Sequence, residues 1–358
     1  MIIDSHAHIF PYLGGPSGFE SAEVHLYHCQ RAMHNHLAQP VRRADDHSIV
    51  KEPTLWDPDK PGPEGRKNVD FRAGKYGRFE WTKDGVDYYI QYMPPYLHDM
   101  TAPPELLIAS MDYTGIDKAV LAGSRTYGFL NNYYMDAVSR YPNRLIGLAQ
   151  VTEGQAHTDE EISRLRHAVT KGGLKGLFFD ASSLPFEPIE DSLADRKFAP
   201  FWETVVSLGI PVYWGIHPNS FLGCLPVLEK WVSDFPSVPT VISQGVPTEV
   251  AYSNGSVTIP KGWIDLVQSA NMYIELAHPI SHGRWEEYPY PVGQRIVKEL
   301  YDLVGAEKLV WGSDFPNVER YCTYAQSLHY VSKHSPYMSQ SDLELILGGN
   351  LAKVFRVE

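Results

Sequence analysis

Short apolar runs alternate with helical segments through most of the chain, and this alternation limits the possible folds more than any other feature of the sequence. The segment from Pro104 to Gly115 is typical of a helix, with proline near its first turn and glycine at its C-terminal stop, and the apolar run 117–122 follows it. The same cycle repeats up to residue 312, and the run that begins at Ile2 adds an N-terminal strand. The predicted strands are this first run, 117–122, 145–149, 174–179, 211–216, 240–243, 272–276 and 309–312.

Eight apolar strands separated by helices predict a parallel sheet covered by helices, and eight strands allow closure into a (β/α)8 TIM barrel. A doubly wound open sheet is the alternative, which we disfavour because no glycine-rich phosphate-binding sequence follows the first strand. The segment Asp342–Phe355 predicts two short helices that break at Gly348-Gly349 and pack under the barrel. The other predicted helices lie near 104–115, 130–140, 158–171, 198–208, 225–234, 261–269 and 292–304.

The segment 11–103 interrupts this alternation. It is rich in Pro, Gly, Tyr and Trp, shows no sustained helical or strand period, and is too long for an ordinary connection. Within it, residues 79–92 predict a β-hairpin with its turn at Lys83-Asp84-Gly85. We therefore expect one domain, residues 1–358, in which 11–103 forms an inserted lobe that shapes the substrate pocket.

Two histidines follow the first apolar run at positions i and i+2. Side chains two residues apart on an extended strand point to the same side, so His6 and His8 can face one point at the end of the strand. Imidazole is a common ligand of zinc and similar divalent ions. The pair indicates a metal site, and two polar residues at a strand end are the alternative interpretation.

An aspartate stands at the end of the last predicted strand. Residues 308–316 read Lys-Leu-Val-Trp-Gly-Ser-Asp-Phe-Pro, a hydrophobic strand that stops at Gly, Ser and Asp314. An α/β barrel carries its catalytic carboxylates at the C-terminal ends of its strands. The two ends of the chain therefore predict one shared site, and a carboxylate that caps the following turn is the alternative role for Asp314.

These motifs resemble the amidohydrolase superfamily. The resemblance rests on His6-x-His8 after an N-terminal strand, on His217 at the end of a mid-chain strand and on Trp-Gly-Ser-Asp314-Phe-Pro near the C-terminus. It covers residues 1 to 10 and about 104 to 355, and it is most similar to the amidohydrolase-related group that includes aminocarboxymuconate-semialdehyde decarboxylase and resorcylate decarboxylase. The resemblance implies that His6, His8, His217 and Asp314 hold one divalent metal, with zinc as the first expectation and manganese as the second.

The resemblance also implies catalytic roles. Asp314 would act as a base or proton shuttle beside a metal-activated water. Strand six usually ends in a histidine in this family, whereas Gln244 stands there in this chain and cannot shuttle a proton near neutral pH. His278, at the end of strand seven, is a candidate replacement, and a structural histidine bonded to a loop is the alternative. Phe178-Phe179-Asp180 offers no lysine for a bridged second metal, so one metal is expected.

Three further residues are candidates for substrate binding. Arg125, just past strand two, could hold a substrate carboxylate through a bidentate fork, and a surface salt bridge is the alternative. Tyr127 and Trp214 could stack on a planar substrate, and core packing explains Trp214 equally well. The lobe also contributes four histidines, for which a solvated or pocket-lining cluster is favoured over a second metal site: His25, His28, His34 and His36.

Composition excludes several classes of partner. The formal net charge is -12, and no Lys/Arg cluster could follow a phosphate backbone, which argues against nucleic acid. No apolar run is long enough to span a bilayer, and there is no signal segment. The three cysteines are widely spaced, which favours a reducing, cytoplasmic setting. The resemblance makes a homodimer a reasonable expectation.

Three functions are compatible with these features. The first is a metal-dependent hydrolase of an ester, lactone or amide of a small, carboxylated or aromatic molecule. The second is a non-oxidative, metal-dependent decarboxylase of an aromatic or unsaturated carboxylic acid. The third is a catalytically silent binding protein, which Gln244 motivates.

Overall fold

The chain folds around eight parallel strands. The computed structural model describes residues 1–34, 39–60, 62–181, 196–277 and 286–358. Its strands are, in chain order, β1 (Ile3–Ala7), β2 (Val41–Arg43), β3 (Ile49–Val50), β4 (Arg72–Ala73), β5 (Arg78–Lys83), β6 (Val86–Gln91), β7 (Lys118–Leu121), β8 (Leu145–Ala149), β9 (Gly176–Asp180), β10 (Val212–Gly215), β11 (Thr240–Ser243), β12 (Tyr252–Ser253), β13 (Ser256–Val257), β14 (Met272–Glu275) and β15 (Leu309–Val310).

The eight-stranded sheet closes into a barrel. Its order is β1-β7-β8-β9-β10-β11-β14-β15, and neighbouring strands are parallel. The last strand returns to the first: the Ser5 N–H donates to the Trp311 carbonyl at 3.0 Å, and the Asp314 N–H donates to the His6 carbonyl at 2.8 Å. The predicted TIM barrel is confirmed.

Helices follow the barrel strands as the sequence predicted, with ends that differ from the prediction by at most two residues. Pro104–Thr114 ends where expected, because Gly115 adopts the left-handed conformation (φ 80°) that glycine tolerates best. The described α-helices are Ala22–His34, Pro104–Thr114, Asn131–Arg140, Asp159–Thr170, Ala199–Leu208, Leu225–Asp234, Thr248–Ala251, Lys261–Ser269, Pro291–Val304, Tyr324–Ser332, Gln340–Glu344 and Asn350–Phe355. None of the helices in the described ranges is both long and apolar enough to cross a membrane.

The C-terminal segment closes the bottom of the barrel, as predicted, but it does not break at the two glycines. Leu345–Gly349 forms one π-helical turn that continues into Asn350–Phe355. A Cβ on Gly348 would lie 2.3 Å from the Met1 carbonyl oxygen, so a residue without a side chain is needed where the helix passes the N-terminus. Beyond it, side chains of the segment pack against the apolar barrel interior: Leu351, Val354 and Phe355 contact the cluster that contains Ile3, Val120, Ile146, Phe178 and Tyr213.

Residues between β1 and the helix Pro104–Thr114 form a lobe with its own antiparallel sheet, ordered β3-β2-β6-β5-β4. The predicted hairpin is confirmed as β5 and β6. Its turn residues, Asp84 and Gly85, have φ angles of 52° and 75°, which suit a tight two-residue hairpin turn. The lobe joins the barrel through paired backbone bonds between Phe10 and Ala102 and through a hydrogen bond from the Tyr96 hydroxyl to Glu319.

The sequence prediction was wrong about one part of the lobe, because Ala22–His34 is a helix where no helical period was recognised. The buried positions of this helix do follow helical spacing. They are occupied by His25, Cys29, Gln30 and Met33, of which only two are apolar. A helix that buries polar side chains hides its period from a search for apolar repeats.

Candidate active site

Three ligand atoms converge at the C-terminal ends of the first and last barrel strands. The Nε2 atoms of His6 and His8 are 3.0 Å apart, and the His8 Nε2 lies 3.1 Å from the Asp314 Oδ1. The His6 Nε2 is 4.0 Å from the same carboxylate oxygen. Among the described residues, these three form the group of side chains whose ligand atoms all lie within 4.8 Å of one another.

The barrel holds each histidine by the nitrogen that faces away from this cluster. The His8 Nδ1 lies 2.9 Å from the Ala122 carbonyl oxygen, which can only accept, so Nδ1 carries the proton and Nε2 presents a lone pair. The His6 Nδ1 lies 2.8 Å from Glu275 Oε2, at the end of β14. Tyr127 packs on the outer side of His8, with ring centroids 4.4 Å apart.

Asp314 lies at the turn after β15 and has a positive φ of 63°. About a quarter of its side chain is exposed, whereas His6 and His8 are almost fully buried. The Asn317 amide donates to Asp314 Oδ1 at 3.1 Å and to the Tyr127 hydroxyl at 2.5 Å. The carboxylate is therefore oriented by a neighbour and can be reached from the barrel mouth.

The charges around the cluster favour a cation. Burial alone would lower the pKa of His6, but the carboxylates of Glu275 and Asp314 raise it to about 9. Burial lowers the pKa of His8, so this imidazole is neutral. Burial would raise the pKa of Asp314, but its contacts with His8 and His6 lower it below the usual value, so it is ionised.

The donor set fits a divalent metal. Two imidazole nitrogens and a carboxylate oxygen are ligands that zinc accepts, and ligands at about 2.0–2.1 Å around a tetrahedral ion are about 3.3 Å apart. The three observed separations, 3.0, 3.1 and 4.0 Å, bracket that value. A divalent cation placed between these atoms would be attracted by all three.

A second buried carboxylate supports the site from below. Asp4 is fully buried and accepts hydrogen bonds from the Ser313 hydroxyl at 2.5 Å, the Tyr324 hydroxyl at 2.7 Å and the His6 backbone N–H at 3.0 Å. Burial raises the pKa of Asp4 to about 6, although these hydrogen bonds act in the opposite direction. The network ties the strand that carries both histidines to the turn that carries Asp314.

The structure does not bring His217 into the cluster. His217 follows β10, as predicted, and its Nδ1 accepts the Asn219 N–H at 3.2 Å at the start of the 3-10 turn Pro218–Ser220. Its imidazole would have to move toward His6 and His8 to become a ligand. The role of His217 as a metal ligand stays a prediction.

Gln244 stands where the family usually has its strand-six histidine, and His278 is the candidate replacement for that histidine. Gln244 follows β11 and has a positive φ of 62° and an exposed side chain, while its backbone N–H donates to Glu275 at 2.5 Å. Its contribution to the site is thus a main-chain hydrogen bond. His278 lies outside the described residues.

The candidate substrate-binding residues lie in different parts of the barrel. Arg125 forms an ion pair with Glu153 and also donates to the Val151 carbonyl at 2.6 Å. Tyr127 stacks on Phe10 and contacts His8, so it lies directly beside the cluster.

Trp214 faces away from the barrel mouth. Its ring is fully buried and packs on Phe179, Trp202 and Trp231, between the strands and the helices. Because the adjacent Tyr213 points into the barrel, the alternation of the strand turns Trp214 outward. The structure therefore gives Trp214 a packing role, and contact with a substrate would require the ring to leave this core.

The lobe histidines do not form a metal cluster within the described ranges. The two ring nitrogens of His25 face the Gly15 and Thr126 carbonyl oxygens at 2.8 and 2.9 Å. His28 stacks on Phe19, and burial together with the charge of Arg125 lowers its pKa to about 4. His36 lies outside the described residues. His25 thus joins the lobe to the segment after β7, whereas His34 stacks on Trp56 within the lobe.

Sequence reasoning missed Glu275, Ser243 and Asn317. A signal for Glu275 was present, because a charged residue inside the apolar run of a buried strand requires a partner. Ser243 and Asn317 gave no comparable signal, since small polar residues are common where strands end in turns.

The closed barrel and the His-His-Asp cluster at its C-terminal strand ends define a class of TIM-barrel enzyme with a candidate metal centre. A family model described as amidohydrolase matches residues 3–357. The chain therefore belongs to the amidohydrolase family and is an enzyme of that superfamily. No curated protein matches it significantly.

Solved structures share the fold at low sequence identity. A probable 2-pyrone-4,6-dicarboxylic acid hydrolase from Acinetobacter baumannii superposes with a TM-score of 0.57 at 21% identity, over 72% of this chain and 90% of that one. A 5-carboxyvanillate decarboxylase from Sphingomonas paucimobilis gives 0.51 at 16% identity, over 72% and 84%. A zinc-bound amidohydrolase from Burkholderia multivorans gives 0.59 at 12% identity, over 73% and 90%.

Proposed function

We propose that this protein is a metal-dependent hydrolase that acts on an ester, lactone or amide of a small, carboxylated or aromatic molecule. The observation that carries the proposal is the convergence of His6 Nε2, His8 Nε2 and Asp314 Oδ1, with the opposite nitrogens of both imidazoles already engaged. Zinc is the metal we expect, and manganese is the alternative. The zinc-bound fold relative is consistent with this choice but does not decide it.

The roles of the residues follow from their positions. His6, His8 and Asp314 would hold the cation, which would polarise a substrate oxygen and lower the pKa of coordinated water. Asp314 is the most exposed of the three side chains. It is therefore also the carboxylate that can take a proton from water and return it to the leaving group. The Asn317 amide holds the Asp314 Oδ1 in its orientation toward His8.

Substrate recognition is assigned to the barrel mouth. Tyr127 lies beside the cluster, and Arg125 carries a positive charge close to the lobe histidine His28. An anionic group of the substrate on this side of the mouth would compete with Glu153 for the Arg125 guanidinium. We also propose a small molecule rather than nucleic acid or membrane as partner, a homodimer, and a cytoplasmic location.

The first test is elemental analysis of the purified protein and of the His6→Ala and Asp314→Ala variants. We expect about one equivalent of zinc or manganese in the wild type and loss of most of it in both variants, because each removes one of three ligands. The control is His167→Ala, which removes an exposed imidazole from the helix Asp159–Thr170. A wild type that stays metal-free after reconstitution would contradict the proposal.

A second candidate is a non-oxidative decarboxylase of an aromatic or unsaturated acid. It is supported by the aromatic side chains near the cluster, where Tyr127 lies beside His8 and stacks on Phe10, and by the small demand of the reaction, which needs a cation for the substrate oxygens and one proton donor. Asp314 could supply that proton. Release of CO₂ from carboxylic acids, measured beside hydrolysis of esters and lactones, separates the two reactions, and robust turnover of either kind excludes a silent binding protein.

A further inference from the structure

Glu275 is a buried carboxylate whose two oxygens are both hydrogen-bonded beside the candidate metal centre. It is fully buried in the barrel, at the end of β14. Oε1 accepts the Ser5 hydroxyl at 2.5 Å, and Oε2 lies 2.8 Å from His6 Nδ1 and accepts the Gln244 N–H at 2.5 Å. Ser243 adds a longer contact at 3.4 Å. Donors from β1, β11 and the turn after β11 therefore converge on one carboxylate.

The surrounding backbone is shaped around this side chain. Gly245 has a positive φ of 71°, and a Cβ there would lie 2.1 Å from the Glu275 carbonyl oxygen. A Cβ on Gly312 would lie 3.0 Å from the His6 Cβ and 3.1 Å from the Glu275 carboxyl carbon. Two glycines thus allow the neighbouring segments to approach the pair of Glu275 and His6 closely.

We infer that Glu275 is the positioning residue that makes His6 a metal ligand and supplies the second negative charge that a divalent cation requires. A carboxylate beside Nδ1 fixes the ring orientation, leaves Nε2 as the lone pair that faces His8, and increases the basicity of the imidazole. The inference rests on the proposed metal-dependent function.

Charge balance supports the second part of the inference. Asp314 and Glu275 each carry one negative charge, and the two histidines are neutral as ligands, so one divalent cation balances the two carboxylates that contact the histidine side chains. His8 has no such partner, because its Nδ1 meets the uncharged Ala122 carbonyl. The two histidines are therefore not equivalent, and His6 carries the electrostatic support.

The substitution Glu275→Gln separates charge from shape. The amide oxygen can take the place of Oε2 and accept from His6 and Gln244, while the amide nitrogen faces the Ser5 hydroxyl, which can accept a hydrogen bond. The variant should fold, and only the charge should be lost. We expect its zinc dissociation constant, measured by competition with a chromophoric chelator, to rise about 10- to 100-fold.

The matched control is Glu161→Gln. Glu161 is also a buried carboxylate, but it bonds to Thr152 and Arg164 at the helix Asp159–Thr170, so its removal should leave the zinc dissociation constant unchanged. Both variants are also compared in thermal unfolding. If Glu275 were only structural, Glu275→Gln would lower the melting temperature without weakening zinc binding.

A spectroscopic readout tests the contact without metal. In the metal-free protein labelled with ¹⁵N-histidine, the proton on His6 Nδ1 should give a strongly downfield resonance that moves upfield in Glu275→Gln, because the hydrogen bond loses its charged acceptor. Unchanged zinc affinity or an unchanged resonance would overturn the inference. If the wild type binds zinc and Glu275→Gln binds it equally well, only this inference fails; normal zinc binding without turnover counts against the proposed function alone.

Discussion

At the scale of single residues, the site depends on polar side chains that have no contact with solvent. Asp4 is an example, because its carboxylate is fully buried and every donor that reaches it comes from a segment that carries a ligand or supports one. Such a group is favourable only while its hydrogen bonds are made, since water cannot replace a lost partner. We therefore expect substitution of these supporting residues to destabilise the site.

The Tyr324→Phe substitution tests this sensitivity. It removes one hydroxyl from Asp4 at almost constant volume, so we expect the free energy of unfolding in urea to fall by about 1–3 kcal/mol. Tyr113→Phe is the control, because Tyr113 is 90% exposed, and its effect should stay within about 0.5 kcal/mol. Equal stability of the two variants would show that the Tyr324 hydroxyl does not support Asp4.

At the scale of elements, regular helices and strands are determined by local sequence patterns, whereas irregular segments are determined by close contacts with other parts of the chain. The C-terminal helix illustrates the second case. Its π-helical turn Leu345–Gly349 lies between the N-terminus and the last strand, where the Trp311 N–H donates to the Ile346 carbonyl at 3.0 Å. A turn with one extra residue lets the helix keep both contacts without a break.

The two glycines of this turn have different environments, which gives a paired prediction. Gly348→Ala would place a Cβ 2.3 Å from the Met1 carbonyl oxygen, whereas the nearest atom for Gly349→Ala is the Glu344 carbonyl oxygen at 3.1 Å. Both substitutions raise helix propensity equally, so the difference reports the clash. We expect Gly348→Ala to be less stable than Gly349→Ala by about 1–3 kcal/mol in chemical denaturation. A difference near zero would mean that the N-terminal residues shift freely.

These elements also show what could be predicted. Strands such as Leu145–Ala149 were predicted with their observed ends, because a continuous apolar run has one interpretation in a barrel. The helix Ala22–His34 was missed, because its buried face includes histidine and glutamine. In the site, His6 and His8 were proposed from their spacing together with Asp314 at the end of the last predicted strand. The role of Glu275 depends on which strands become neighbours, and that is a property of the closed barrel.

At the scale of the whole molecule, the barrel interior is filled from below by the C-terminus of the chain. Leu351, Val354 and Phe355 belong to the same apolar cluster as residues of β1, β7 and β10. The barrel strands therefore rest on the helix Asn350–Phe355.

Leu351→Ala tests this packing. The side chain is fully buried, so its truncation should reduce the free energy of unfolding by about 2–5 kcal/mol, through lost burial and the cavity that remains. Val206→Ala is the control, because Val206 lies on an exposed part of the helix Ala199–Leu208. If the two variants had the same denaturation midpoint, the C-terminal segment would not be part of the barrel core.

The distance along the chain between the candidate ligands has a consequence for protein synthesis. His8 and Asp314 are 306 residues apart, so at about 5–20 residues per second a ribosome needs about 15–60 s to add the carboxylate after the histidines. During that time the nascent chain offers only an incomplete pair of nitrogen ligands. The three candidate ligands come together only when the last strand pairs with the first, so we expect metal binding to follow synthesis of residue 314 and to report that the barrel has closed.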